Sequence, residues 1–498
     1  MPAPEETTRG SSWLLGALFG AAVLGAALLY RNCAAPEGAT APSAAAPSAS
    51  DAVPSTIGRC KAVTQGSGFV VGKTSSKEAA EPQAPELDTD DQPDRDDLLA
   101  PFAVVIGRAA PYAGGYALGA LGESDGGSAA FVVTIAPDGS TGQSRKLFRS
   151  RSDLDPPVVA AAPDDGGLFV AALEPNASGR AIRLVHLKGD GFTWGAEIQE
   201  GRDESLALDI AVTKKRGVVA WDATEDDRSF VHVAGFPLEK VGQLDSTRRA
   251  TAKELDADSP RVVATDNGFY LAYLVHGDQA KRENVAERGP AEPKPDTERN
   301  PEPSAKPSKT KPKKSKKAAD SGEEIDETRG GEAVSTSYIE VMPLDETGAQ
   351  SSDTLRVTPE GVTVVSFDIA PGPNGSLVVA YRDDDAPTGG GGGIIRMVNL
   401  RAGGLGAHYE STDPLPSDGV PSILGGWIGI PTLAGADLLS KLDKDGMPAE
   451  PLGREPSLGR GEPIAASGNQ LLVAEPQGAA MAFRVVECSE APAAPLAP

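Results

Sequence analysis

One pattern recurs along most of the chain: an apolar run, a Gly, Asp or Asn turn, a second apolar run, then a third run ending in an Asp-Gly-type turn. It is clearest in PPVVAAAPDDGGLFVAALEPNASGRAIRLVHLKGDG, from Pro156 to Gly191. It returns in SPRVVATDNGFYLAYLVHG, SFDIAPGPNGSLVVAY with GIIRMVNLRAGG, PSILGGWIGIPTLAGADLLSKLDKDG and EPIAASGNQLLVAEPQGAAMAFRVVEC. A short unit that cannot bury its own faces must stack on its neighbours, so such repetition predicts blades or a solenoid.

Aligning the second apolar run of each unit places anchors at Tyr116, Phe169, Val218, Phe269, Leu377, Trp427 and Leu471. The gaps between them are 53, 49, 51, 108, 50 and 44 residues, and the one long gap holds an insertion at about 278–333. Seven units follow, one of them interrupted; six or eight remain open at this stage, with Phe69 as a possible eighth anchor.

Within a unit the runs are rich in Val, Ile, Phe and Tyr and are separated by PDDGG, TDNG, GPNG and DKDG. Gly and Asn accept the positive φ of tight hairpin turns, so these runs read as antiparallel strands. The runs VVAAA, LFVAAL and SLVVAY are nearly continuous rather than alternating. Strands buried on both faces look like this.

These features resemble a β-propeller, an all-β ring of four-stranded sheets in which each sheet covers its neighbours. The resemblance covers about 57–488 and is architectural: no unit carries the GH…WD signature of WD40 repeats or the kelch aromatic pattern. A ring implies that the ends of the array meet. The strand or hairpin within Cys60–Lys73 is therefore expected to complete the last blade and close the ring, with Cys60 and Cys488 as a candidate disulfide in an oxidising compartment.

Outside the array the chain divides into a flank at 1–12, an uncharged apolar stretch at 13–30, an Ala/Pro/Ser-rich linker at 31–56 and a tail at 489–498. As a helix the apolar stretch would measure roughly 27 Å, close to the hydrocarbon thickness of a bilayer. It reads as a transmembrane anchor that leaves the propeller extracytoplasmic in the cell envelope, with a cleaved signal and secretion as the alternative. Two segments, about 76–98 and 278–333, are highly charged and proline-rich, and they read as disordered insertions. The second contains a basic tract from Lys306 to Lys317.

The formal charge of -24 argues against a nucleic-acid surface, which needs clustered Lys and Arg. No catalytic, cofactor-binding or metal-binding residues are assigned. Gly72-Lys73-Thr74 ends like a phosphate-binding loop, but Ser67 stands where the first Gly should be. GDGFTW, from Gly189 to Trp194, is similar to the Asp-box of sialidases but one residue short; it is expected at an outer hairpin turn, with Trp194 packing the blade. His186, His232, His276 and His408 are scattered, and metal binding needs three or four convergent ligands. The acidic groups Asp88 to Asp97, Asp383–Asp385 and Asp443–Gly446 read as a spacer and turns.

The function expected is that of a monomeric binding or scaffolding module for a protein or polysaccharide partner, with no cofactor. The alternative is a propeller hydrolase or lyase with an axial active site. Convergence of charged side chains from several blades would favour the second, and an axial pocket of Ala, Gly and Val the first.

Overall fold

The computed structural model describes residues 59–63, 69–71 and 104–489, apart from short breaks and the segments 200–205, 278–335, 385–392, 411–416 and 432–437. The candidate anchor at 13–30, the linker, both insertions, the Asp88 to Asp97 group and the basic tract all lie outside the described residues. Among the described residues no helix is long and apolar enough to cross a membrane.

The chain is an all-β propeller of seven sheets, and each sheet is an antiparallel meander. Two short strands come first, β1 (Cys60–Ala62) and β2 (Phe69–Val71). Blade 1 holds β3 (Val105–Tyr112), β4 (Gly115–Glu123), β5 (Ser128–Ile135) and β6 (Gly142–Arg149). Blade 2 holds β7 (Val158–Ala161), β8 (Leu168–Asn176), β9 (Gly179–Lys188) and β10 (Gly191–Gln199). Blade 3 holds β11 (Leu208–Val212), β12 (Arg216–Glu225), β13 (Arg228–Pro237) and β14 (Arg248–Arg249). Blade 4 holds β15 (Asp256–Thr265), β16 (Gly268–Gly277), β17 (Thr336–Leu344) and β18 (Leu355–Arg356). Blade 5 holds β19 (Val364–Pro371), β20 (Leu377–Asp383), β21 (Ile394–Arg401) and β22 (Gly404–Glu410). Blade 6 holds β23 (Ser422–Leu424), β24 (Trp427–Ile430), β25 (Leu438–Lys441) and β26 (Gly453–Arg454). Blade 7 holds β27 (Glu462–Ser467), β28 (Gln470–Gln477) and β29 (Ala480–Cys488).

The seven anchors read from the sequence all fall in the second strand of a blade. The insertion at 278–333 falls between β16 and β17, the second and third strands of blade 4. In blade 7, β1 pairs with β29 through Cys60↔Cys488, and β2 pairs with the same strand through Phe69↔Phe483. Both are antiparallel to β29 and lie in succession along it, so they form one interrupted outer strand rather than a hairpin. Cys60 and Cys488 are bonded, with Cα atoms 3.9 Å apart.

The core lies between blades, not within them. Each of seven apolar clusters takes residues from two adjacent blades, and one of them joins Leu472 and Phe483 of blade 7 to Tyr116 and Leu118 of blade 1. Period-2 geometry explains the unbroken apolar runs. On β12, Val219 and Trp221 pack toward blade 2 while Val218 and Ala220 pack toward blade 4. Tight packing also fixes Gly119, where a Cβ would stand 1.8 Å from the Pro157 carbonyl oxygen of the next blade.

Candidate functional site

Every first strand of a blade contributes to one cavity of about 310 Å3 on the axis. Its wall is small and aliphatic: Ala109 to Pro111, Val159 to Ala161, Ile210 to Val212, Val262 to Ala264, Ala370, Pro371, Ile423, Leu424 and Ile464 to Ala466 among them. Among the described residues two charged ones line it, Arg108 and Asp209.

Those two belong to a layer of charge that crosses the axis. Asp209, Arg261 and Asp368 occupy one register position in their blades, each opposite an alanine of the second strand: Ala220, Ala272 and Ala380. Arg108 sits in the bulge of β3, just before Ala109. Its Nη2 donates to the Ile369 carbonyl at 2.9 Å and stands 2.9 Å from Asp368 Oδ1. Burial works against the Arg108 charge, but Asp368 and Asp209 outweigh it and hold the guanidinium protonated beyond its ordinary range.

The carboxylates are structural struts. Asp209 Oδ1 accepts from the Ile210 amide, and its Oδ2 accepts from the Val262 amide of blade 4 at 2.8 Å. Asp368 repeats the device: Oδ1 accepts from the Ile369 amide and Oδ2 from the Ile423 amide of blade 6 at 2.8 Å. Burial raises the Asp209 carboxyl above its usual range, against the pull of Arg261, Arg108 and these amides. A strand running in from the neighbouring blade thus finds acceptors for backbone donors that the axis would otherwise leave without partners.

A second polar group lies at the end of the ring where first strands begin and second strands finish. Asp222 near the end of β12 accepts from the Ala207 amide at 2.9 Å and from the Ser259 amide at 3.2 Å. Ser259 is in the β15 bulge with φ at +53°, a conformation that side-chain-bearing residues seldom adopt. Asp258 Oδ2 is 2.9 Å from His276 Nε2, and each of the two side chains is about a third exposed. Burial, then the nearby charges of Asp258 and Asp155, push the Asp222 carboxyl up to about 6 despite its amide donors. The bond to Asp258 raises His276 above the usual imidazole range.

The other singled-out residues are structural. His186 stacks on Phe169 at 4.3 Å, and its Nε2 lies 2.9 Å from the Gly166 carbonyl. His232 stacks on Trp221 at 5.6 Å, and burial lowers its pKa. The two do not meet: each pairs with an aromatic residue of its own blade. His408 pairs with Val398 on the outer strand of blade 5. Gly189 and Gly191 bracket the turn between β9 and β10, and Trp194 packs edge-on to Phe192 and beside Phe148 of blade 1 while staying about half exposed. Asp443 Oδ1 accepts from the Asp445 and Met447 amides, the hydrogen bonds of a turn. Asp383 pairs with Arg396 and Asp384 with Arg382.

The charged layer was not assigned from sequence, yet it leaves a trace. In R-A-A-P, D-I-A-V, R-V-V-A and D-I-A-P, a charged residue opens the last apolar stretch before the hairpin turn. Asp222, Asp258 and His276 leave none: the β15–β16 pairing brings Asp258 to His276, and blade packing adds Asp222 from blade 3. Among the described residues no group of three or more His, Cys, Asp or Glu could hold a metal ion.

No protein-family model and no curated relative matches the chain. Similar solved structures include an alpha-L-arabinanase from Penicillium chrysogenum complexed with arabinobiose, at 11 % identity over 79 % of this chain and 95 % of that one, with a TM-score of 0.41. A polysaccharide lyase, Uly1, is 10 % identical over 78 % of this chain and 90 % of its own, with a TM-score of 0.46. The β-propeller domain of the Trilobed protease from Pyrococcus furiosus is 7 % identical over 77 % and 93 %, with a TM-score of 0.42. At such distances the likeness is one of form, and no activity is read from it.

Proposed function

We propose that this chain is a membrane-tethered, extracytoplasmic propeller that serves as a monomeric binding or scaffolding module for a protein or polysaccharide partner. One observation carries the reading. The acidic side chains that converge on the axis, Asp209 and Asp368, each have one oxygen occupied by a backbone amide of their own strand and the other by an amide of an adjacent blade, beside a cavity whose wall is aliphatic apart from Arg108 and Asp209. An acid, base or nucleophile needs a free functional atom, and these carboxylates serve instead to make the ring rigid.

The tether rests on the apolar stretch at 13–30, and the Cys60–Cys488 bond favours an oxidising compartment. We infer also that the pairing of β1 and β2 with β29 closes the ring. Affinity capture from membranes with the full chain and with residues 1–56 alone tests the role. Partners recovered only by the full chain support it, and identical partners in both captures reject it.

A second reading, a hydrolase or lyase acting on polysaccharide, is favoured by the Asp222, Asp258 and His276 group. Here the partly exposed Asp258 carboxylate stands 2.9 Å from the His276 imidazole at the ring end that carries the long connections, and Asp222, its carboxyl pushed up to about 6, accepts from the amide of Ser259 next to Asp258. The chemistry of this reading would lie away from the aliphatic wall of the axial cavity. Neutral polysaccharides assayed for reducing-end release and anionic polysaccharides assayed for unsaturated products separate hydrolysis from elimination. Turnover abolished by His276→Gln would replace the binding reading with this one.

A further inference from the structure

We propose that the axial cavity is a binding site for an aliphatic carboxylate, with the head group on Arg108 and the chain along the Ala, Val and Ile wall. The proposal stands apart from the partner-binding reading, since it concerns the interior of the ring and a small amphiphile.

Three observations lead to it. The first is polarity. First strands run from the end of the ring where Asp222 lies toward their hairpin turns, and the aliphatic lining residues follow the charged layer along that direction. The layer is therefore the floor, and the cavity extends toward the hairpin turns. From Arg108 to Tyr112 a strand advances roughly 13 Å, deep enough for a chain of several methylenes.

The second is the imbalance of hydrogen-bonding capacity at that floor. The four charges Arg108, Arg261, Asp209 and Asp368 cancel, but their atoms are not equally available. Asp209 and Asp368 are 4 % and 7 % exposed and accept from four backbone amides. Arg108 keeps 32 % of its side-chain surface accessible. Its Nη2 is engaged by blade 5, while Nε and Nη1 have no hydrogen-bond partner among the described residues. The floor thus offers donors and withholds acceptors. A guanidinium with free N–H groups in an apolar setting selects a carboxylate over a neutral head group.

The third is the chemistry of the wall. Among the described residues it presents no aromatic ring, hydroxyl or amide side chain, so above the charged floor a sugar would lose its hydrogen bonds to water without replacement. An alkyl chain loses nothing comparable and gains from burial.

Isothermal titration of the full chain with octanoate, butanoate and octanamide tests the assignment. Octanoate should bind saturably with one-to-one stoichiometry, roughly tenfold or more tighter than butanoate and about tenfold tighter than octanamide. Ala264→Leu, which adds bulk to the wall and leaves Arg108 untouched, should abolish binding while keeping the circular dichroism spectrum and thermal midpoint near wild type. Arg108→Gln should bring octanoate down to the affinity of octanamide; if that variant fails to fold, the Ala264→Leu result decides. Equal binding of octanoate and octanamide, binding that survives Ala264→Leu, or no saturable binding by the wild type would overturn the proposal. So would capture of an acetylated leucine-rich tripeptide with a free carboxylate in place of octanoate, which would assign the site to a protein terminus.

Discussion

Removing the Cys60–Cys488 disulfide should destabilise the ring by an amount set by the length of chain it encloses. The bonded residues are 428 positions apart. In the chain-entropy model a loop of that size restricts the unfolded state by roughly 6 kcal/mol at 25 °C, an upper figure because residual structure in the unfolded chain reduces it. Without the bond, β1 is held by its short ladder to β29, by the Arg59 ion pair with Glu450 and by the Arg59 amide on Glu455. The double variant Cys60→Ala, Cys488→Ala is the right perturbation, since both cysteines are buried and serine would add an unpaired hydroxyl. With an unfolding entropy of about 2.1 cal/mol/K per residue, a chain of this size should lose roughly 6 °C in Tm for such a change. Calorimetry of the variant and of reduced wild type gives the global loss, and hydrogen exchange should show protection falling first at β1 and β29. A Tm shift under about 1 °C, with the bond proved present by non-reducing peptide mapping, would show that the chain ends are held by packing and hydrogen bonds alone.

The axial struts and the loop-end acid group make further demands. Asp209→Ala strands the Val262 and Ile210 amides and removes a counter-charge of Arg108, so it should cost roughly 3 kcal/mol in denaturant unfolding, with Asp209→Asn costing clearly less. Since Asn keeps one acceptor oxygen and turns its NH2 toward the other amide, equal costs would mean that accepting from only one of the two amides preserves nothing. Trp221 is fully buried between blades 2 and 3, and Trp221→Ala should cost about 3–5 kcal/mol by the same measurement. Asp222 titrates near 6 when folded against 3.8 as its ordinary value, so the folded state binds its proton more tightly. Its contribution is complete below about pH 4 and fades as pH rises through 6, by roughly 3 kcal/mol in all. His276, raised by Asp258, has the same sign: its contribution is present below the ordinary imidazole value and is lost above the raised one. Wild type should therefore gain more stability than Asp222→Asn on going from pH 8 to pH 5, and identical gains would refute the assignment.

The sequence by itself determined the architecture, because blade formation depends on local chemistry. Turn residues at PDDGG, TDNG and GPNG set the hairpins, and unbroken runs such as LFVAAL and SLVVAY can be buried only between two sheets. The spacing of the anchors from Tyr116 to Leu471 followed from the same regularity, and so did the outer placement of the strand that begins at Cys60. Tertiary structure alone decided what those blades bring together. Arg108 meets Asp368 across 260 residues of chain, and Asp222 reaches the Ser259 bulge from the neighbouring blade. The charges of the axial layer recur at one place in their units, but which of them meet cannot be read from that recurrence. A repeat specifies where each strand lies within its own sheet, but which side chains converge on the axis depends on the rotation of one sheet against the next. That rotation is fixed only when all seven interblade cores are packed at once.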